Sequence, residues 1–165
     1  MRILIVNTSE LNGGAAVAAS RLVAALNNSG VQARLLVNDR QTSNPMVSAL
    51  PKTLFSRWRF LWERWTIFWH LHFTKHNLFA IDVANAGADI TSLPEFKLAD
   101  VIHLSWINQG MLSLNSIKKI VNSGKPVVWT MHDIWPATAI CHLTLGCNNF
   151  KQICRRCKYL PGGGS

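Results

Sequence analysis

Residues 2–38, "RILIVNTSELNGGAAVAASRLVAALNNSGVQARLLVN", carry the pattern that decides the fold. "RILIVN" (Arg2–Asn7) is an unbroken β-prone run. Without polar alternation it reads as a strand buried on both faces. "TSELNGG" (Thr8–Gly14) is a loop. "AAVAASRLVAALNNSG" then reads as a helix, with Val17, Leu22, Val23 and Leu26 as its apolar stripe and Gly30 where a C-terminal cap glycine belongs. "VQARLLVN" (Val31–Asn38) is a second strand. Strand, glycine loop, helix, strand is a βαβ unit, and a crossover of that kind joins parallel strands.

The second half repeats the rhythm. "ADVIHLS" (Ala99–Ser105) reads as a strand, "SLNSIKKIVNSG" (Ser113–Gly124) as a helix ending in glycine, and "KPVVWTM" (Lys125–Met131) as another strand. Residues 40–98 are less regular, and no internal repeat is visible. The fold class is α/β: an open, mostly parallel sheet with helices on both faces.

Composition narrows the rest. A chain of 165 residues fits one domain, and 48% apolar residues make it globular. The apolar run in "MRILIVNTSE" is too short for a leader peptide, and no run of about 18 uncharged apolar residues can span a bilayer. The expected compartment is the cytosol, where cysteines stay reduced or bind metal. The net charge of +9 is concentrated. Residues 51–76 hold five basic residues against one acid, and 151–158 add Lys151, Arg155, Arg156 and Lys158. Localised positive charge points to phosphate groups, on nucleic acid, anionic lipid or a phosphorylated ligand.

In an open parallel sheet, ligands bind beyond the carboxyl ends of the strands. The residues there are Asn12, Gly13 and Gly14, then Asn38 and Asp39, then Trp106, Ile107 and Asn108, then His132, Asp133, Ile134, Trp135 and Pro136. They are polar, aromatic or glycine, and the strands before them are apolar. Gly13-Gly14 opens the first helix, so it either lets a phosphate or sugar approach the backbone or makes a tight turn. The loop lacks G-x-G-x-x-G, which disfavours a dinucleotide oxidoreductase. His132 is either structural or a hydrogen-bonding and proton-carrying group. His103, inside its strand, reads as a buried, satisfied histidine. Trp106 and Trp135 either stack on a ligand or pack in the core.

Two segments stand apart. In "LFSRWRFLWERWTIFWHLHFTKHN" (about 54–76), Trp58, Trp62, Trp65 and Trp69 fall at steps of four, three and four. At about 100° per residue they share one helical stripe, which the pattern flanks with Arg57, Arg59 and Arg64. Such a helix rests in a lipid interface, docks on another domain or packs on its own sheet; Phe60 and Ile67 opposite the stripe suggest cover on both faces. In "CHLTLGCNNFKQICRRCKYLP", Cys141, Cys147, Cys154 and Cys157 follow C-x5-C-x6-C-x2-C. Structural zinc, disulfides and free thiols all remain open for them.

"VNTSELNGGAAVAASRLVAAL", "ADVIHLSWINQGMLSL", "KPVVWTMHDIWPATAICH" and "GCNNFKQICRRCKYLP" together resemble the N-terminal domain of GT-B glycosyltransferases, and more narrowly the group-4 type that builds bacterial surface polysaccharides. The resemblance implies that residues 1–161 form a Rossmann-like, acceptor-side domain and that 162–165 are a linker end. The C-terminal domain that grips the donor would have no counterpart in this chain, leaving it inactive alone. It further implies transfer of a sugar from a nucleotide-sugar to a saccharide or lipid-linked acceptor, with no cofactor required for catalysis and zinc, if bound, only structural. Gly13 and Gly14 would approach the donor phosphates or the transferred sugar. His132 would be the catalytic residue beside that sugar. Asn12, Trp106, Asn108 and Asp133 would contact substrate. A lipid-linked acceptor would place the tryptophan helix on an anionic membrane surface, peripheral to the inner face of the cell membrane. The rival reading, a zinc-stabilised basic nucleic-acid-binding module, fits the charge and cysteines but not the apolar parallel strands.

Overall fold

The computed structural model describes residues 1–51, 54–71, 73, 78–144, 146–154 and 157, with the backbone alone at 54–57. Five strands form one all-parallel sheet: β1 (Arg2–Val6), β2 (Gln32–Val37), β3 (Val47–Ala49), β4 (Val101–Leu104) and β5 (Val127–Trp129). Their order is β3-β2-β1-β4-β5. This is the α/β, Rossmann-like arrangement expected. The chain leaves β1 toward one edge and later returns to the other. The switch point therefore lies between β1 and β4, where such sheets open a crevice. Register aligns the strand ends: Val6 faces Leu36 and Leu104, and Leu104 faces Trp129.

Side-chain alternation sends successive residues to opposite layers. On one face Ile5, Ala33, Leu35 and Val37 pack under α1 (Gly14–Asn28). On the other, Leu4, Val6, Leu36, Ile102 and Leu104 pack with Phe96 of α3 (Pro94–Leu98) and Ile120 of α4 (Leu114–Val121). Each face of the sheet thus carries helices. Asn27, near the end of α1, accepts from Ala33 N and donates to Ala33 O, which pins the crossover to β2.

Four details differ from the sequence expectation. The buried stripe of α1 is Ala16, Ala19 and Val23, while Val17 is exposed. Small residues there let the helix lie close to the sheet, and a leucine-and-valine count does not see them. Residues 40–98 contain the edge strand β3, too short to show alternation. The tryptophan helix α2 runs Leu54–His70, and residues 72 and 74–77 of its expected extension lie outside the described residues. Arg64 is not on the flank of the tryptophan stripe but buried beneath it; the side chain of Arg57 lies outside the described residues.

Candidate functional site

The loops following the strands are knitted into one rim. Asn38 N donates to Thr8 O at 2.9 Å, and Thr8 N donates to Trp106 O at 2.7 Å. The Thr8 hydroxyl donates to the carbonyls of Trp106 and Asn108, and Trp106 N donates to Asn7 Oδ1 at 3.0 Å. Asn12 N donates to Ser9 Oγ, which donates to Asp39 Oδ2 at 3.0 Å. The residues expected on a common rim after β1, β2, β4 and β5 therefore do converge. Glu10 supports this edge from below. It is buried and accepts from Gln41 N, Thr42 N and the Thr42 hydroxyl. Burial pushes its carboxyl up, but the bonds from Thr42 and Gln41 hold it below the usual range. No motif in the sequence marks Glu10.

His132 is exposed, and its Nε2 lies 2.9 Å from the buried Ser105 Oγ. Below it His103 Nε2 lies 2.7 Å from Thr130 Oγ1. Burial, and then the neighbouring His132, lower the pKa of His103. His103 is paired, as its strand position suggests, but half-buried rather than buried. These four residues line a cavity of about 50 Å³ with Ala18, Ala19 and Leu22 of α1. His132 thus has one ring nitrogen fixed and its face toward solvent, a placement suited to donating or accepting at a ligand hydroxyl.

Gly13 and Gly14 are both exposed at the start of α1. Gly13 has φ +89°, so the turn itself needs it; Gly14 has an ordinary φ and open space around its missing side chain. The tight-turn reading therefore explains Gly13 and leaves Gly14 unexplained.

Asp133 is occupied internally. Its Oδ2 accepts from the Trp106 indole at 3.0 Å and meets His142 Nδ1 at 2.7 Å, while Oδ1 accepts from Trp135 N. It orients Trp106 rather than presenting a spare oxygen. Trp135 is buried and donates to Asp82 O at 2.8 Å, so it packs instead of stacking on a ligand. Asn108 is buried with its Nδ2 unpartnered among the described residues, an unused donor beneath the rim.

Helix α2 docks against this rim through a buried charge cluster. Arg64 Nη2 lies 3.3 Å from Asp82 Oδ2 and 3.6 Å from Glu63 Oε2. Asp82 also accepts from Gln109 N in the loop after β4, and Glu63 accepts from Ala84 N. Burial, then hydrogen bonding to Asp82, pushes the Glu63 carboxyl up to about 8. A Cβ on Gly110 would stand 3.1 Å from Phe60 N, which shows how closely the helix backbone lies on that loop. Ile67 on the inner side is fully buried, whereas Trp58, Trp62, Trp65 and Trp69 are each more than half exposed. The helix is thus covered on one face only among the described residues. Trp62 stacks on Trp65 at 5.6 Å, Trp69 lies tilted against Trp65 at the same distance, and Trp58, Leu61, Trp62, Trp65, Phe68 and Leu78 line an apolar groove of about 580 Å³.

The four cysteines are half-buried and unbridged. Burial and the neighbouring thiols push the Cys141 thiol up to about 11. Among the described residues no three His, Cys, Asp or Glu side chains stand as a preset metal shell. No described helix is long and apolar enough to cross a membrane.

No protein-family profile matches the chain, and no solved structure does. The chain is similar to a protein of Escherichia coli K12 that carries the name colanic acid biosynthesis glycosyl transferase WcaC, at 36% identity over 63 residues. That match spans 36% of this chain and 15% of the relative. The parallel sheet and this partial match together fit a glycosyltransferase-like fold and a glycosyltransferase-related function.

Proposed function

We propose that this chain is the acceptor-side, N-terminal part of a GT-B, group-4-type glycosyltransferase. The full-length enzyme moves a hexose from a nucleotide-sugar to a polysaccharide or lipid-linked acceptor. The observation that carries the reading is the rim itself: an exposed His132 held by Ser105, with four loops tied together at the carboxyl ends of parallel strands. In this reading His132 lies beside the transferred sugar and hydrogen-bonds or stabilises charge there. Gly14 lets the donor phosphates approach the α1 N-terminus. Asn12 and Asn108 contact the acceptor, with the spare Asn108 donor as the reason to name it. Trp106 offers a ring held by Asp133, whose role is to position it. The exposed aromatic stripe of α2 holds the domain on an anionic membrane surface at the cytoplasmic face, close to a lipid-linked acceptor.

The test is a titration of isotope-labelled chain followed by amide and indole resonances. UDP-glucose, UDP-galactose, GDP-mannose and a maltooligosaccharide are the probes. At least one should move Gly14, Ser105 and His132 together and leave the α4 signals in place. No movement with any of the four overturns the proposal. So does tighter, salt-sensitive binding of an oligonucleotide, which favours the nucleic-acid reading.

A further inference from the structure

The cysteine segment lies behind the rim rather than in it. Cys141 bridges Ile81 in an antiparallel pair, and His142 N donates to Ala80 O. Cys141 and Cys157, remote in sequence, pack against the same apolar cluster of Ile67, Ile81 and Ile140. The Cys157 thiol is within hydrogen-bonding contact of Cys141, and Cys147 and Cys154 are within electrostatic reach of it. The four half-buried cysteines therefore lie in one neighbourhood, though among the described residues no three of them yet form a metal shell.

As thiols they satisfy one another poorly, because S–H is a weak donor and sulfur a weak acceptor. The gathering makes chemical sense around a soft cation. Four sulfurs ending in C-x2-C suit a tetrahedral divalent ion with metal–sulfur bonds of about 2.3 Å. Such a shell carries two net negative charges, and Lys151, Arg155, Arg156 and Lys158 in the same stretch of sequence would offset them. Since the sulfurs are not preset, closing the shell would draw in the chain between Cys141 and Cys157.

We propose that Cys141, Cys147, Cys154 and Cys157 bind one zinc-class divalent ion in a closed thiolate shell that fixes the Cys141–His142 turn behind the rim. Binding breaks four S–H bonds and releases four protons to solvent. Four protein ligands leave no open coordination position, so the ion takes no part in chemistry. Its effect on the rim runs through His142, which meets Asp133, which in turn orients the Trp106 indole.

The experiment is elemental analysis of the chain purified under reducing conditions and dialysed against metal-free buffer. About one zinc per chain is expected. Exchange with Co²⁺ should give the intense visible absorption of a tetrahedral thiolate site. This second readout uses the unaltered chain and does not depend on a variant folding. The double variant Cys154→Ser, Cys157→Ser should lose the metal and shift the Trp106 indole resonance. Four thiols reactive to a disulfide reagent with less than about a tenth of an equivalent of zinc would overturn the proposal. So would two disulfides seen by mass spectrometry. Metal loading reads the cysteines alone, independently of whether the rim binds a sugar nucleotide.

Discussion

Glu63 on α2 and Asp82 in the loop before α3 meet carboxyl to carboxyl in the core, both fully buried, with Arg64 the one cation paired with them among the described residues. One Arg balances one carboxylate, so the second carboxyl keeps its proton. Glu63 is the protonated partner, held up to about 8 in the folded chain against about 4.5 in the unfolded one. An acid with a raised folded pKa contributes most stability below its unfolded pKa. That contribution falls as pH rises toward about 8 and is level above it. Glu63→Gln keeps the hydrogen-bonding shape without the charge. Its Tm should decline less than that of the parent chain between pH 6 and pH 8.5, by calorimetry, and exceed it at pH 8.5. Equal slopes for the two chains would show that Glu63 is not the protonated group.

Asp82→Ala should be far more damaging. It removes one partner from each of Arg64, Gln109 N and Ala84 N at once. Removing one side of a buried ion pair costs about 3–5 kcal/mol. Urea denaturation should show that loss, together with exposure of α2 to proteolysis before the sheet.

The two adjacent glycines separate fold from ligand. Gly13→Ala forces a side chain onto φ +89° and should cost about 1 kcal/mol. Gly14→Ala meets nothing and has no strain, so the Tm should hold or rise slightly. If Gly14 lies against donor phosphates, Gly14→Ala should still weaken the nucleotide-sugar titration at least about tenfold, a cost of about 1.4 kcal/mol. Unchanged affinity would mean that only the turn needs these residues.

The α2 stripe should bind vesicles. Trp62→Ser with Trp65→Ser removes two exposed side chains, so stability should move by no more than about 0.5 kcal/mol per site. Co-sedimentation with phosphatidylglycerol vesicles at low salt should fall to background. With Arg64 buried, the exposed stripe is mainly aromatic, so salt should weaken binding of the parent chain only in part. No binding to anionic or neutral vesicles by the parent chain would falsify the membrane role.

His132→Asn should leave the unfolding free energy within about 0.5 kcal/mol of the parent, since the ring is exposed and holds one hydroxyl. Ser105→Ala should do more damage to the placement of His132 than to the fold. If the chain is part of a glycosyltransferase, as proposed, both should lower transfer of labelled sugar by the complete enzyme, His132→Asn the more strongly.

The fold was legible because "RILIVN", "ARLLV" and "VIHL" are apolar runs between glycines, a signal that survives without any tertiary knowledge. The rim followed from topology alone, which is why Asn12, Trp106, Asn108 and His132 could be named together. β3 escaped because three residues at a sheet edge carry no period. Arg64 was misplaced because helical geometry puts it beside the tryptophans, and only Asp82, 18 positions on, draws it inward. The sequence leaves Trp135 open between stacking and packing and does not show that Asp133 holds Trp106, because their partners, Asp82 O and His142, are remote or unremarkable in sequence. Glu10 had no signal at all: its bonds to Gln41 and Thr42 exist only once two loops meet.

The exposed stripe on α2 also governs how this protein emits light. Four of its seven tryptophans already face water in the folded chain. Intrinsic fluorescence will start near the long-wavelength position of solvated indole, and denaturation will shift it little, with buried Trp135 supplying most of the change. The same stripe makes emission a sensitive gauge of docking, because covering those rings would move the spectrum to the blue where unfolding cannot.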